Sequence, residues 1–283
     1  GPRWIVESRS ETVADRVDLI SVPLASIGVG AAILGMTQGN TWGWTSARVL
    51  SAFVLAVLLV AAFVVRSRRH PTPLFDLGLF RHRSFTLGNV GTLFFSIAFF
   101  SWLVPFPTFI QSAWGWSVLR TGFGIAPGPL LAMFLSPIGG RVAERWGNGP
   151  VLAVGGACGA VGLLMHVAFT GTEPDYLLGV LVPGLFIGVA AGFGFAQLVG
   201  ATMRDVPPGQ YGMGGAGRTT VFQLAVALAI ALAFTIIGRQ ATPADALDRY
   251  QIVWVLGAVC YLAQVVVFGG FLSRTQDRGV PAP

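Results

Sequence analysis

The chain has 283 residues, 54% of them hydrophobic and 11% charged, with 18 basic residues that are all arginine, 12 acids and a net charge of +6. A mean hydropathy of +0.71 excludes an ordinary water-soluble domain, in which about a quarter of the residues are charged. The arginines are scattered over many connectors rather than gathered on one face with aromatics, so nothing resembles a nucleic-acid footprint.

Residues 1–17 (GPRWIVESRSETVADRV) are polar and lack the apolar core of a signal peptide. Beginning as it does at Gly1, the chain is read as part of a longer polypeptide or an incomplete gene product. Eight apolar runs follow, near 18–37, 46–65, 86–112, 117–139, 150–170, 177–202, 217–238 and 250–272. A helix rises about 1.5 Å per residue, so about 20 apolar residues cross a hydrocarbon core of about 30 Å. The runs are too long for barrel strands and do not alternate, which predicts helices. The expected fold is all-α and integral to the lipid bilayer, with eight transmembrane helices. Residues 18–65 hold the first two spans, 66–85 a connector, 86–272 the last six spans and 273–283 a polar tail.

Within the connector, Leu74, Leu77, Phe80 and Phe85 recur at roughly helical spacing beside Arg81 and Arg83. That pattern suits either a short amphipathic helix lying on one leaflet or a plain polar link. Arginine placement sets the topology. Connectors on one side, together with both termini, carry 14 arginines and those on the other side four. The positive-inside rule then puts both termini in the cytoplasm. Trp42, Trp44, Trp114 and Trp116 fall in the outer connectors, at the headgroup level that indoles prefer.

Gly184, Gly188, Gly192, Ala196 and Gly200 recur every fourth residue in the sixth span. Gly155 and Gly159 do so in the fifth, and Ala225, Ala229 and Ala233 in the seventh. Such stripes predict close helix packing. Prolines interrupt the third span (Pro105, Pro107), the fourth (Pro127, Pro129, Pro137) and the sixth (Pro183). Any single proline suits a simple kink equally well, whereas the cluster in two successive spans points to the binding region of a transporter.

Intramembrane polar groups are few, and all 12 acids lie in connectors or at span edges. His166 lies well inside a span and is expected to be neutral and hydrogen-bonded near the outer surface, with a proton relay as the alternative. Arg218 either snorkels to the nearer surface or faces a cavity and meets an anionic group. Gln111, Gln197, Gln223 and Gln264 either bond between helices or line a solute path. Phe99, Phe100, Trp102, Phe106 and Phe109 crowd the third span; lipid contact and packing explain most such rings, and the alternative is a wall that holds flat, apolar or cationic solutes. Cys158 and Cys260 fall inside apolar runs and read as buried small hydrophobes. No metal-ligand spacing, phosphate-binding loop, dinucleotide fingerprint or catalytic triad is present in the sequence.

Residues 140–149 read GRVAERWGNG. This resembles the cytoplasmic loop motif of the major facilitator superfamily, with Gly140, Glu144, Arg145 and Gly147 matching and Asn148 and Gly149 replacing its terminal basic pair. Physically, the acid suits a helix N-terminus or an arginine, and the glycines suit a sharp turn. WGWTS at 42–46, HPTPLFDLGLFRHRSF at 70–85, FIQSAWGWSVLRTGFGIAP at 109–127 and GMGGAGRTTVFQLAVALAIA at 212–231 are similar to the fourteen-span drug:proton antiporter branch (EmrB/QacA-type). Phe222 stands where such relatives often have arginine before the glutamine matching Gln223, and Ala225 and Val226 where a glycine pair is common.

The resemblance implies that spans one and two are linker helices and that spans three to eight form a C-terminal six-helix bundle. The partner would be a missing N-terminal six-helix half holding the main proton-coupling acid. It also implies export of a small hydrophobic or drug-like solute by alternating access, with a proton gradient as energy source and no cofactor, in the cell membrane. Trp102, Phe106, Gln111, Gln197, Arg218, Phe222 and Gln223 are the expected substrate-path residues, and Gly140, Glu144, Arg145 and Gly147 the expected cytoplasmic gate. The rival expectation is a non-transporting or degenerate membrane module that assembles with or regulates another protein; a membrane-embedded enzyme lacks the convergent ionisable groups it would need.

Overall fold

In hydrocarbon every backbone N–H must find its carbonyl within its own segment, and the eight apolar runs obey by coiling. The computed structural model describes residue 18 and residues 20–70, 77–238 and 243–272. Among the described residues no strand occurs, and eight helical stretches are long and apolar enough to cross a membrane.

The first two spans are α1 (Ser21–Trp42) and α2 (Ala47–Arg69). The Ser46 hydroxyl starts α2 by accepting from the Val49 N–H at 3.3 Å. The third span is broken into α3 (Arg83–Leu103) and α4 (Pro105–Trp114), and the fourth into α5 (Val118–Ile125) and α6 (Pro127–Trp146). The fifth is α7 (Asn148–Phe169). The sixth opens with a π-helical turn, Leu177–Leu181, that runs into α8 (Val182–Met203). The seventh and eighth are α9 (Tyr211–Ile237) and α10 (Pro243–Val266).

Several boundaries differ from those read in the sequence. The fourth span continues past residue 139 through Arg141–Arg145 to Trp146, because nothing in that stretch breaks a helix until Gly147. The stretch GRVAERW, expected as a loop, is therefore the last two turns of α6. α9 starts at Tyr211, before the GMGGAG run. There Gly214 and Gly217 are buried, and a methyl at Gly214 would sit 2.9 Å from Met203 Cε. α10 begins at Pro243 with Asp245 in its first turn, a favourable charge beside the N-terminal end of the helix dipole. The amphipathic helix proposed for the connector is not seen where the structure describes it. Leu77–Arg81 is a 3-10 turn, and Leu79 and Phe85 are buried against Val206 rather than turned to lipid. Leu74 lies outside the described residues.

α3 is the central rod, packed on α8, α9 and α10. α7 lies between α8 and α10, and α6 covers the other side of α8. The small-residue stripe of α8 meets α6, where a methyl at Gly188 would fall 2.5 Å from the Gly128 carbonyl oxygen and one at Gly192 2.9 Å from that of Ala132. On α7, a methyl at Gly159 would strike the Tyr261 ring at 2.6 Å. Lipid removes most of the hydrophobic incentive for helices to associate, so such close contact is what holds the bundle. Polar bonds add to it. Gln264 donates to the Leu152 carbonyl at 3.0 Å, joining α10 to α7. Cys260 is buried and Cys158 half-buried; both are free thiols.

The α1–α2 hairpin leans on α9. Asn40 Nδ2 donates to the Thr235 carbonyl at 2.8 Å, and the Thr235 hydroxyl donates to the Met36 carbonyl at 2.9 Å. At its other end Asp18 accepts from Arg66 Nε at 2.8 Å and from the Ser21 hydroxyl at 2.5 Å. Large apolar side chains face outward all along the hairpin and α6, among them Val57 at 68% and Phe134 at 65% exposure. In a bilayer this is the solvated surface.

Candidate functional site

Proline has no N–H and its ring collides with the preceding turn, so each interrupted span has a weak point in its ladder. Between α3 and α4 the break falls at Val104, whose N–H reaches the Phe100 carbonyl at a long 3.4 Å. Between α5 and α6 it falls at Ala126, before Pro127. In the sixth span the π-helical turn gives way to α8 just before Pro183. These three irregularities converge. Trp102 and Phe106 from the first, Ile125, Pro127 and Gly128 from the second, and Val180, Leu181 and Gly184 from the third line one narrow seam.

The seam continues into an apolar crevice of about 160 Å³ between α3, α6 and α8. Phe99, Trp102 and Leu103 form one wall, Pro129 and Ala132 another, and Ile187, Ala191 and Phe195 the third. Gly128, Gly184 and Gly188 keep its floor shallow by bringing α6 and α8 together. Aromatic rings extend the wall toward α9. Phe195 stands edge-on to Phe99 at 5.4 Å and to Phe222 at 6.3 Å, and Phe222 meets Phe100 at 5.9 Å. Arg218, half-buried one turn before Phe222, places its guanidinium 6.0 Å over that ring, at the limit of cation–π attraction. Its Nε has no protein acceptor among the described residues.

The structure thus brings Trp102 and Phe106 to one lining and Phe222 and Arg218 to the rim, linked through Phe195. It does not bring the glutamines there. Gln111 is half-buried on α4 and Gln223 exposed on α9, and neither makes a hydrogen bond among the described residues. Gln197 is buried on α8 facing α6, where a methyl at Gly139 would lie 3.5 Å from its Nε2. Phe195, Ile187 and Gly128 belong to the crevice and were not singled out in the sequence. The available signal was the agreement in depth of three helix breakers.

The GRVAERWGNG stretch differs from its expected form. Glu144 lies in the last turn of α6 rather than at a helix N-terminus. It is exposed and, among the described residues, makes no ion pair with Arg145, which is also exposed. The sharp turn belongs to Gly147, whose φ of +83° ends α6 and leads directly into α7. Gly140 sits two turns earlier, 4.0 Å from Gln197 Nε2 if given a methyl.

His166 is fully buried near the end of α7, packed 4.4 Å from the Phe106 ring, 5.3 Å from Trp254 and 5.7 Å from Trp102. Its Nδ1 lies 3.0 Å from the Thr170 hydroxyl, which donates to the Gly179 carbonyl in the π-helical turn at 3.1 Å. The expected hydrogen bond to His166 is therefore present, and the side chain, in the last turn of α7, is enclosed by these rings. Among the described residues no group of His, Cys, Asp and Glu is arranged to hold a metal ion.

Comparison with known proteins gives this arrangement a context. The lincomycin resistance protein LmrB of Listeria monocytogenes is 25% identical over 232 residues, which is 82% of this chain and 49% of that protein. A tetracycline resistance determinant of Streptomyces rimosus is 27% identical over 202 residues, 71% of this chain and 58% of its own length. A multidrug resistance protein B homolog of Mycobacterium tuberculosis is 29% identical over 204 residues, covering 71% and 38% respectively. The chain spans about half the length of the curated relatives it matches. The sequence model of the Major Facilitator Superfamily matches residues 17–230, well over half of the chain. With eight membrane-length helices and three of them broken around a shared crevice, this multi-pass membrane protein belongs to the major facilitator superfamily.

Proposed function

We propose that this chain forms one wall of the solute path in a secondary transporter that exports small hydrophobic, drug-like solutes across the cell membrane. The observation that carries the reading is the convergence of three helix interruptions on one aromatic crevice. Interrupted helices in the interior of a bundle mark solute sites in secondary transporters, because unwound backbone there supplies both space and polar contacts. The crevice is apolar and ring-lined, which favours flat, apolar or cationic molecules by stacking and cation–π contact. The printed names of the relatives, concerned with lincomycin, tetracycline and multidrug resistance, point the same way.

In this reading α3–α10 act as the C-terminal bundle and α1–α2 as linker helices, all in the cell membrane with both termini in the cytoplasm. A companion six-helix bundle supplies the opposite wall. The two bundles rock about the solute, and a proton gradient drives the cycle through an acid on the companion. Arg218 and Phe222 stand at the rim where that companion faces this one. The end of α6, from Gly140 through Glu144 and Arg145 to the turn at Gly147, steadies the inner gate.

Ethidium binding to the purified chain in lipid nanodiscs tests the crevice. Trp102→Ala is expected to weaken binding about tenfold, the scale of one lost aromatic contact with its buried area. Equal binding by wild type and variant rejects the site. In everted vesicles from cells expressing the full gene product, ethidium movement is expected to stop when a protonophore is added. Movement that continues unchanged rejects proton coupling.

A further inference from the structure

In the crevice wall and behind it lie two unsatisfied groups of opposite character. His166 is fully buried and its Nε2 has no hydrogen-bond partner among the described residues. Trp102 is 3% exposed and its indole N–H is likewise unpartnered. Buried polar groups are almost always bonded, so each exception calls for a reason.

The surrounding bonds decide which way His166 faces chemically. The Thr170 hydroxyl has one hydrogen, and it points to the Gly179 carbonyl. The same oxygen can then only accept from His166 Nδ1, 3.0 Å away. Nδ1 therefore carries the imidazole hydrogen, and Nε2 is a bare acceptor. A strong donor and a strong acceptor thus share one aromatic box, their rings 5.7 Å apart.

The route in is also on the page. Trp102 and Phe106, their rings stacked at 5.3 Å, stand between His166 and the crevice. They lie on either side of the Val104–Pro105 break, so a small change of angle there moves one ring relative to the other.

We propose that Trp102 and His166 form a gated polar subsite that takes the hydroxyl of an aromatic solute, the indole N–H donating to the solute oxygen and the solute O–H donating to His166 Nε2. This rests on the reading of the crevice as the solute site and narrows its substrates to the phenol class. A ring enters the aromatic crevice, and its hydroxyl satisfies both orphans at once. A hydrocarbon of the same shape leaves both unmet.

The matched probes 2-naphthol and naphthalene test it, since they differ by that hydroxyl alone. Binding to the purified chain is measured by equilibrium dialysis and corrected for uptake by protein-free nanodiscs. Wild type is expected to favour 2-naphthol about tenfold, the scale of a well-made buried hydrogen-bond pair. The ratio should fall close to one in His166→Phe and in Trp102→Phe, whatever the overall affinity of each variant. A readout without mutation comes from the chain's three histidines. With 15N-labelled histidine, one imidazole should show an unprotonated Nε2 that shifts on adding 2-naphthol and not on adding naphthalene. Naphthalene bound as tightly as 2-naphthol, or a preference that survives both substitutions, overturns the subsite and leaves the crevice standing. Failure of both probes and of ethidium to bind overturns the crevice and the subsite together.

Discussion

Asp18 shows how much one carboxylate does at the foot of an apolar hairpin. Desolvation pushes its pKa up, but the Ser21 hydroxyl and the Arg66 guanidinium outweigh that and hold it below the usual 3.8. A carboxyl with a depressed folded pKa stabilises the fold above its unfolded value and loses that contribution as pH falls through the folded one. Asp18→Asn should therefore lower the thermal stability at pH 7. Thermal unfolding in detergent should show the two proteins converging as pH drops below about 4. A gap that persists at acid pH would assign the effect to shape rather than charge. The partner of Asp18 was not legible in the sequence, because 48 residues separate it from Arg66 and periodicity says nothing about such pairs. The same limit applies to the glutamines. Gln264 bonds across to α7 while Gln111 and Gln223 bond to nothing described, and no local pattern distinguishes them.

Among the elements, α6 and α8 meet backbone to backbone, which limits side-chain size there. Gly188→Ala places a methyl 2.5 Å from a backbone oxygen that no side-chain rotation can move. The helices must separate, and the bundle should lose several degrees of melting temperature together with ethidium binding. Gly30→Ala on α1 is the control, since nothing lies within 4 Å of the added methyl, and it should be neutral or slightly stabilising. Helix existence was plain in the sequence because membrane length and hydropathy are properties of a single segment. Helix ends were less so. The polar turns of α6 through Arg145 and of α10 from Pro243 stay helical after the apolar signal has stopped. The stripes at Gly155, Gly184 and Ala225 announced close packing, but which helix each would meet depends on the whole bundle.

For the molecule as a whole, the question is which face of the membrane each end occupies. The 14-to-four arginine asymmetry predicts that the α1–α2 turn is outside. In intact cells a membrane-impermeant thiol reagent should label Thr45→Cys, an exposed position in that turn, and leave Arg68→Cys unlabelled until the cells are opened. The reverse pattern would invert the topology. Fold class and span number could be read from composition because lipid imposes one strong rule on every segment. The site was half legible. Trp102 and Phe106 stood out as aromatics beside a proline, whereas the enclosure of His166 arises only when α3, α4, α7 and α10 come together.

One residue, Gly147, separates the last turn of α6 from the first of α7. A link that short pins two rods at a corner, like the spring of a clothes peg. α7 is clasped by α8 and α10, so any displacement of α6 along α8 would pivot about this corner. Any widening of the gap beside Phe99 and Ile187 must then grow with distance from that corner. Such a jaw would open toward Val118, with its narrow end at Gly147.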